Sequence, residues 1–539
     1  MILKLIMKKN IFKTILLMGI GFAVIISCSK DYLETQPQSS VSPEVVFESV
    51  ANAKTAVNGI SKMMTTQYLG TQGMNGEGTI KSWYANFTGN DFQKCNQTGW
   101  APLWNSTYQA RATSSYDYYP WFYYYKLIGN ANQIVENIDN AEGTSAERAF
   151  IKGQGLVFRA YSFLMLSQLY CHRWVDSNNG ADPGIVLRID TSKGEQALAT
   201  LAETYQQIYA DLDEAIRLFS ESGLTREELY TEFNKGIYQN YVGNIFHLPD
   251  LNVAYAVYAR AALTRNDWAT AAKMAPLARK GHQLMTSKEY NSGFNYPNSE
   301  WIWGVYETED QTLYYYSFYA YQGSNASSSN CRSYPCAISK ELYDQIPVTD
   351  SRRNLWLEPT AEEYADKNLS KTTGRSTGLL QARARKDFAS KIYSTSYIFM
   401  YMQFKHLASF MPGGGCFNIF RSAEMYLIEA EALCMMGGRD AEVQALLNEL
   451  NKNHDDAYSC TKTGSDLLEE VKLYRRIDLW GEGFDWFDYK RWKQPIVRKS
   501  IKDGGSFHAT YAITLKPEDA NNWTWVIPNK EKDYNKLIK

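Results

Sequence analysis

The sequence predicts a mainly all-α protein in which a scaffold of helical hairpins carries a loop-rich, irregular half. Three observations predict it. Apolar residues recur at helical spacing in several segments. Two pairs of such segments are joined by short turns and carry small residues along one face. Between the helical blocks lie two aromatic-rich stretches with few helix signals. At 45% hydrophobic and 21% charged residues the chain can bury a large core.

The first segment is not part of the fold. Lys8, Lys9 and Lys13 form a basic region, with Met7 an alternative start to Met1. Thr14 to Ser27 is an apolar run of 14 residues, signal-peptide length and short of the roughly 20 residues that span a bilayer. It ends in Ile25-Ile26-Ser27-Cys28, the pattern of a bacterial lipobox, so residues 1–27 are expected to be removed and Cys28 lipidated. Several acyl chains anchor a protein stably, whereas one does so only marginally. Residues 28–42 read as a polar tether, and 43–539 as a single domain with inserted loops at about 68–120 and 284–418.

Helices are expected at 43–66, 121–139 and 147–170, the last apolar nearly all round and therefore buried. In 203–219, Tyr205, Ile208, Tyr209, Leu212, Ile216 and Phe219 form one amphipathic stripe. Residues 252–264 and 268–280 pair across Arg265-Asn266-Asp267. Their Ala254, Ala259, Ala262, Ala271, Ala272, Ala275 and Ala278 let the helices approach closely, as in a tetratricopeptide hairpin. A second hairpin joins 420–436 to 440–453 through Gly437-Gly438.

The aromatic stretches are dense. Residues 83–125 hold 15 aromatics in 43 positions, and 294–321 hold 11 in 28, against a chain average of 14%. Long loops in a compact protein are usually functional or disordered, and aromatic content argues against disorder.

Several function classes are disfavoured. A net charge of −2 gives no support to nucleic-acid binding. The chain holds no H-E-x-x-H, G-x-S-x-G, G-x-x-x-x-G-K-[ST] or G-x-G-x-x-G, and its six His are scattered. No enzyme activity, cofactor or metal is predicted. Seven cysteines follow Cys28, an odd number. Cys331 and Cys336 are close enough for a local disulfide, and none has zinc-site spacing.

Ordered landmarks run along the mature chain. Cys28-Ser29, Tyr32-Leu33-Glu34 and Pro37 open it. Trp121, Tyr125, Ile128, Ala131 and Asn132 follow on one helix, then Arg159-Ala160-Tyr161. The last third carries Arg421, Ala423-Glu424, Tyr426-Leu427 and Ala430-Glu431-Ala432. Arg475-Arg476, Gly481-Glu482-Gly483, Phe487-Asp488 and Arg491-Trp492 come next, and Ile527-Pro528 near the end. This set resembles the SusD/RagB family of outer-membrane nutrient-binding lipoproteins. Tyr474 stands where that family often has Glu, Asp485 where Arg is frequent, and Cys171-His172-Arg173-Trp174 replaces a Tyr-Gly turn.

The resemblance implies four tetratricopeptide-like hairpins and a looser half that binds the ligand. It also implies an oligosaccharide ligand, or a peptide as in one branch, and a SusC-type TonB-dependent outer-membrane transporter as partner. The location implied is the outer membrane, lipid-anchored and facing outward. A protein-interaction scaffold without its own ligand is the third reading. The charged landmarks read as structural ion pairs. Arg421 and Glu424 are expected to pair on one helix face, and Glu482 and Asp488 to meet Arg475, Arg476 or Arg491.

The ligand site is expected in the aromatic loops. A sugar ring has an apolar C–H face for a flat side chain and a rim of hydroxyls for polar ones. Trp100 and Trp104, in a Gly/Pro-bounded loop, are the leading candidates. Tyr314, Tyr315, Tyr316, Tyr319 and Tyr321 follow, because a consecutive run cannot all face a core. Asp91 and Asn96 are the polar candidates. Trp121 and Tyr123 to Tyr125 are expected in the core.

Overall fold

The computed structural model describes residues 42–68, 74–231, 245–309 and 317–538. Cys28 with its leader and tether, and Tyr314 to Tyr316, lie outside the described residues.

Helices dominate, in the order predicted. They are α1 (Val50–Met63), α2 (Ser115–Asn137), α3 (Ser145–Tyr170), α4 (Leu201–Ser222), α5 (Leu251–Thr264), α6 (Trp268–Ala278), α7 (Ser422–Met436), α8 (Asp440–Lys452), α9 (Gly464–Asp478) and α10 (Asp485–Trp492). Each of α2 to α7 packs on the next, and α7 packs on both α8 and α9. Capping sets many starts. Thr144 with Glu147 and Thr200 with Glu203 form reciprocal capping boxes on α3 and α4. Gly223, at φ +65°, ends α4 in the left-handed turn that glycine adopts without cost. Helix α3 is buried almost throughout from Phe150 to Tyr170. Within it Arg159 reaches Asp211 of α4 at 2.6 Å, so the charge on that otherwise amphipathic helix is spent inside.

Three boundaries differ from the sequence reading. The segment 43–66 breaks, because Ser49 caps a new helix by accepting from the Asn52 amide at 3.3 Å. Helix α2 starts earlier, at Ser115, and runs through Pro120. Proline there has no N–H for the Tyr116 carbonyl. The Tyr84 hydroxyl donates to that carbonyl instead, at 2.6 Å. One residue on, the Tyr170 hydroxyl accepts from the Trp121 amide at 3.1 Å and donates to the Asp117 carbonyl. Two tyrosines thus repair the turn. The second hairpin begins at Ser422, because Phe417–Arg421 is a strand.

Short sheets stitch the loop-rich half together. The strands concerned are β1 (Phe92–Lys94), β2 (Trp301–Val305), β3 (Cys336–Ile338) and β4 (Phe417–Arg421). Strand β1 pairs antiparallel with β3, Phe92 opposite Ile338. Strand β2 pairs antiparallel with β4, Trp301 opposite Arg421. The two regions read as loops are therefore joined to each other and to the start of α7.

The charged landmarks form buried ion pairs, some with the predicted partners and some with others. Arg421 does not pair with Glu424. Sitting at the end of β4, it reaches back to Glu300 at 2.6 Å, Asp478 at 2.6 Å and Glu482 at 2.7 Å. Lys405 joins Glu482 at 2.6 Å, and Arg352 joins Asp478 at 2.9 Å and Asp350 at 2.6 Å. Glu424, one helical turn further, pairs with Arg260 of α5 at 2.7 Å. Asp488 does meet Arg475, at 2.7 Å, and Arg491, at 2.9 Å. Gly481 lets the Glu482 turn enter this centre. Its φ is +77°, and a Cβ there would lie 2.6 Å from the His406 Nε2.

Trp121, Tyr123 and Tyr124 are core, as expected, and Tyr125 is half-buried. The hydroxyls of Tyr123, Tyr124 and Tyr161 converge on the buried Glu77 carboxylate at 3.3, 3.1 and 2.6 Å. Cys331 and Cys336 are buried free thiols and are not bridged. Among the described residues no helix is long and apolar enough to cross a membrane, and no cluster of His, Cys, Asp and Glu could hold a metal.

Candidate ligand-binding site

The loop 96–111 rises between β1 and α2. Its base is fixed by a distant tyrosine. The Tyr511 hydroxyl accepts from the Thr98 amide at 2.8 Å, and Asn105 Nδ2 donates to the Thr510 carbonyl at 2.9 Å. Pro102 starts a single helical turn, Ala101–Trp104. Across that turn Trp104 is buried while Trp100 stays partly exposed.

Trp100 is half-buried and leans on a fully buried wall. Its ring centroid lies 5.2 Å from Trp83, 6.0 Å from Trp104 and 5.8 Å from Tyr321. Trp83 belongs to a π-helical segment, Ile80–Asn86, in which the Phe87 amide reaches back five residues to the Ser82 carbonyl at 2.9 Å. Such wide turns mark functional sites more often than chance. Two more partly exposed rings extend the surface. Tyr116 lies 5.6 Å from Trp83, and Tyr108 lies 5.3 Å from Tyr116. The Arg111 guanidinium sits 4.9 Å over Tyr108. Asn96, Gln97 and Asn105 are polar groups on the same loop, of which Gln97 is exposed.

The predicted residues divide. Trp100 and Asn96 stand at the surface of the loop. Asn96 also accepts from the Gln97 amide at 3.0 Å. Trp104 is an interior residue, 2% exposed, its ring tilted against Phe87 with centroids 4.6 Å apart. Tyr321 is buried behind Trp100. Tyr319 is buried elsewhere, its hydroxyl donating to the Cys416 carbonyl at 2.7 Å. Asp91 is buried too. It takes two hydrogen bonds from Arg476, at 2.7 and 2.9 Å, and one from the Ser339 hydroxyl at 3.0 Å. Trp104 and Tyr321 therefore support the surface from within, whereas Tyr319 and Asp91 belong to the interior away from it. Tyr108, Tyr116 and Arg111 were missed. Their signal was the aromatic density of 83–125, which did not say which rings stay outside.

The arrangement offers flat apolar faces beside amide and guanidinium donors. That is chemistry for holding a hydroxylated ring, and the exposed groups include no paired nucleophile and base. A strongly perturbed acid nearby is Asp117, which follows Tyr116. It is buried, neither carboxyl oxygen has a hydrogen-bond partner among the described residues, and burial pushes its carboxyl up to about 9. The folded state thus keeps a proton that the unfolded chain loses near pH 4. Stability from this group is full below that pH and lost as pH rises toward 9. Asp117→Asn should flatten that slope. Thermal melts at pH 5 and pH 8 check it, and equal slopes in both proteins would refute the assignment.

Two family models match the chain. Residues 31–237 match a SusD-like model described as starch-binding and associating with the outer membrane, and residues 274–537 match the SusD family model. Solved structures resemble it over nearly its whole length. One is a SusD-like carbohydrate binding protein from Bacteroides vulgatus, 23% identical, with a TM-score of 0.71 over 91% of this chain and 98% of the other. Another is a SusD superfamily protein from Bacteroides thetaiotaomicron, 21% identical, with a TM-score of 0.68 over 91% and 99%. A third, a SusD-like carbohydrate binding protein from Bacteroides fragilis, is 16% identical, with a TM-score of 0.62 over 92% and 100%. At these identities the likeness concerns the fold. No curated protein matches.

Proposed function

Since the chain belongs to the SusD/RagB family, we propose that it binds an oligosaccharide at the Trp100 surface and passes it to a SusC-type TonB-dependent transporter. The observation that carries this reading is the half-exposed Trp100 backed by Trp83, Trp104 and Tyr321. A ring held rigid from behind loses little freedom when a sugar stacks on it. The carbohydrate-binding relatives favour the same ligand class. No covalent step enters: capture rests on stacking and hydroxyl hydrogen bonds.

The site for the lipid is Cys28, and the protein is expected to hang from the outer membrane and face outward. Cys28→Ala should move it from the membrane fraction to the soluble one. Attachment that persists after this change, in protein shown by mass spectrometry to carry no lipid, refutes the anchor.

The test of function is calorimetry with residues 29–539 against oligosaccharides and peptides, with Trp fluorescence as second signal. Saccharide binding that quenches Trp supports the proposal. Peptide binding alone assigns the protein to a peptide-capturing role, and silence with every compound speaks against a ligand site of its own.

A further inference from the structure

A second cleft lies in the loop-rich half, at residues outside the Trp100 surface. Lys340, Thr360, Tyr364, Met400, Tyr401 and Ile501 line it, and its cavity volume is about 360 Å³. That is within the range of small-molecule sites, roughly 300–1,000 Å³. Met400 and Ile501 are buried and make an apolar floor. Tyr364 is 48% exposed, and its ring carries the Lys371 ammonium 3.9 Å from the centroid. Lys371 also donates to the Tyr364 backbone carbonyl.

Tyr401 supplies an independent sign. Its φ is +58°, a left-handed conformation that is an outlier for a bulky residue. Strain of this kind persists only where the surroundings enforce it, and it concentrates at functional sites. The Tyr401 amide donates to the Leu357 carbonyl at 2.8 Å, its carbonyl accepts from the Ile338 amide at 3.2 Å, and its ring packs 5.3 Å from Tyr343. The backbone is thus held from both sides, which fixes where the side chain meets the cleft. Of the two tyrosines on the cleft, Tyr364 is 48% exposed and Tyr401 is buried at its wall.

We propose that this cleft is a second saccharide site, holding one pyranose ring of an oligosaccharide against Tyr364, with the Tyr401 and Thr360 hydroxyls and the Lys340 ammonium on the sugar's hydroxyl rim. The occupant is a sugar rather than an apolar ligand, because aromatic face, apolar floor and polar rim occur together.

Crystals of residues 29–539 would be soaked with maltoheptaose, cellohexaose, xylohexaose and mannohexaose in turn. Calorimetry would follow on the wild type, Tyr364→Ala, Tyr364→Phe and Trp100→Ala. The expected result is a sugar ring over Tyr364 with at least one compound. Tyr364→Ala should weaken that binding event at least tenfold, and Tyr364→Phe should keep most of it. Trp100→Ala should leave the ring in the cleft, which separates this site from the first. An empty cleft with all four sugars overturns the proposal, as does a Tyr364→Ala isotherm identical to the wild type, whatever happens at Trp100. Tyr364 is half-exposed, so the fold should tolerate both of its changes.

Discussion

Arg421→Ala should cost roughly 3–5 kcal/mol of stability, the range seen when one partner of a buried ion pair is removed. Three carboxylates meet this guanidinium: Glu300, Asp478 and Glu482, each within 2.7 Å and each buried. Burial alone would raise the Glu482 carboxyl, but Arg421 and Lys405 overcome that and hold it well below the usual range. Glu482 therefore stays charged in mildly acid solution, and its contribution fades only as pH falls far below the ordinary carboxylate pKa. Without Arg421, three acids face Lys405 and Arg352 alone. Urea unfolding followed by circular dichroism measures the loss. A change under about 1 kcal/mol would mean that water or rearranged neighbours compensate the carboxylates, and the assigned pairs would not be what holds the centre.

Trp100→Ala should raise the dissociation constant for the bound saccharide about 30-fold or more, because a central Trp contact is typically worth about 2 kcal/mol or more. The far-UV spectrum should not change, since the residue is half-exposed and the wall behind it remains. Trp104→Ala should do the opposite. Trp104 is 2% exposed and packs on Phe87 and Tyr511. Its loss opens a cavity and should cost about 3–5 kcal/mol. Binding measured beside stability separates the two tryptophans. If Trp100→Ala binds sugar as tightly as the wild type, the ligand sits elsewhere.

The contrast between these two residues marks how far the sequence could be read. Both lie in one Gly/Pro-bounded segment, and nothing in their spacing distinguishes them. The difference is made by the single turn at Ala101–Trp104 and by Tyr511, more than 400 residues away in sequence. Helices were legible because periodicity is local: the stripe of α4 and the small residues of α5 and α6 are sufficient evidence in themselves. The charged landmarks were legible as structural, yet their partners were not. Arg421 and Glu424 are adjacent on paper, but β4 ends at Arg421, and one turns to Glu300 while the other turns to Arg260. Strand pairing decides that, and pairing is a long-range property. Nor does spacing mark Tyr84 and Tyr170, whose hydroxyls serve the turn at Pro120 from distant parts of the chain.

The ionic centre also imposes an order in time. Its members are Glu300, Asp350, Arg352, Lys405, Arg421, Asp478 and Glu482. A chain is made from its N-terminus, so at the moment Arg421 emerges two of its three acids do not yet exist. Contacts between distant parts of a chain form late and slowly. Helices α2 to α6 can pair early from local sequence, whereas β4 and the loop-rich half wait for the Gly481–Gly483 turn to arrive. The centre therefore stays incomplete until Asp478 and Glu482 join it, and those two residues close the loop-rich half onto the helices.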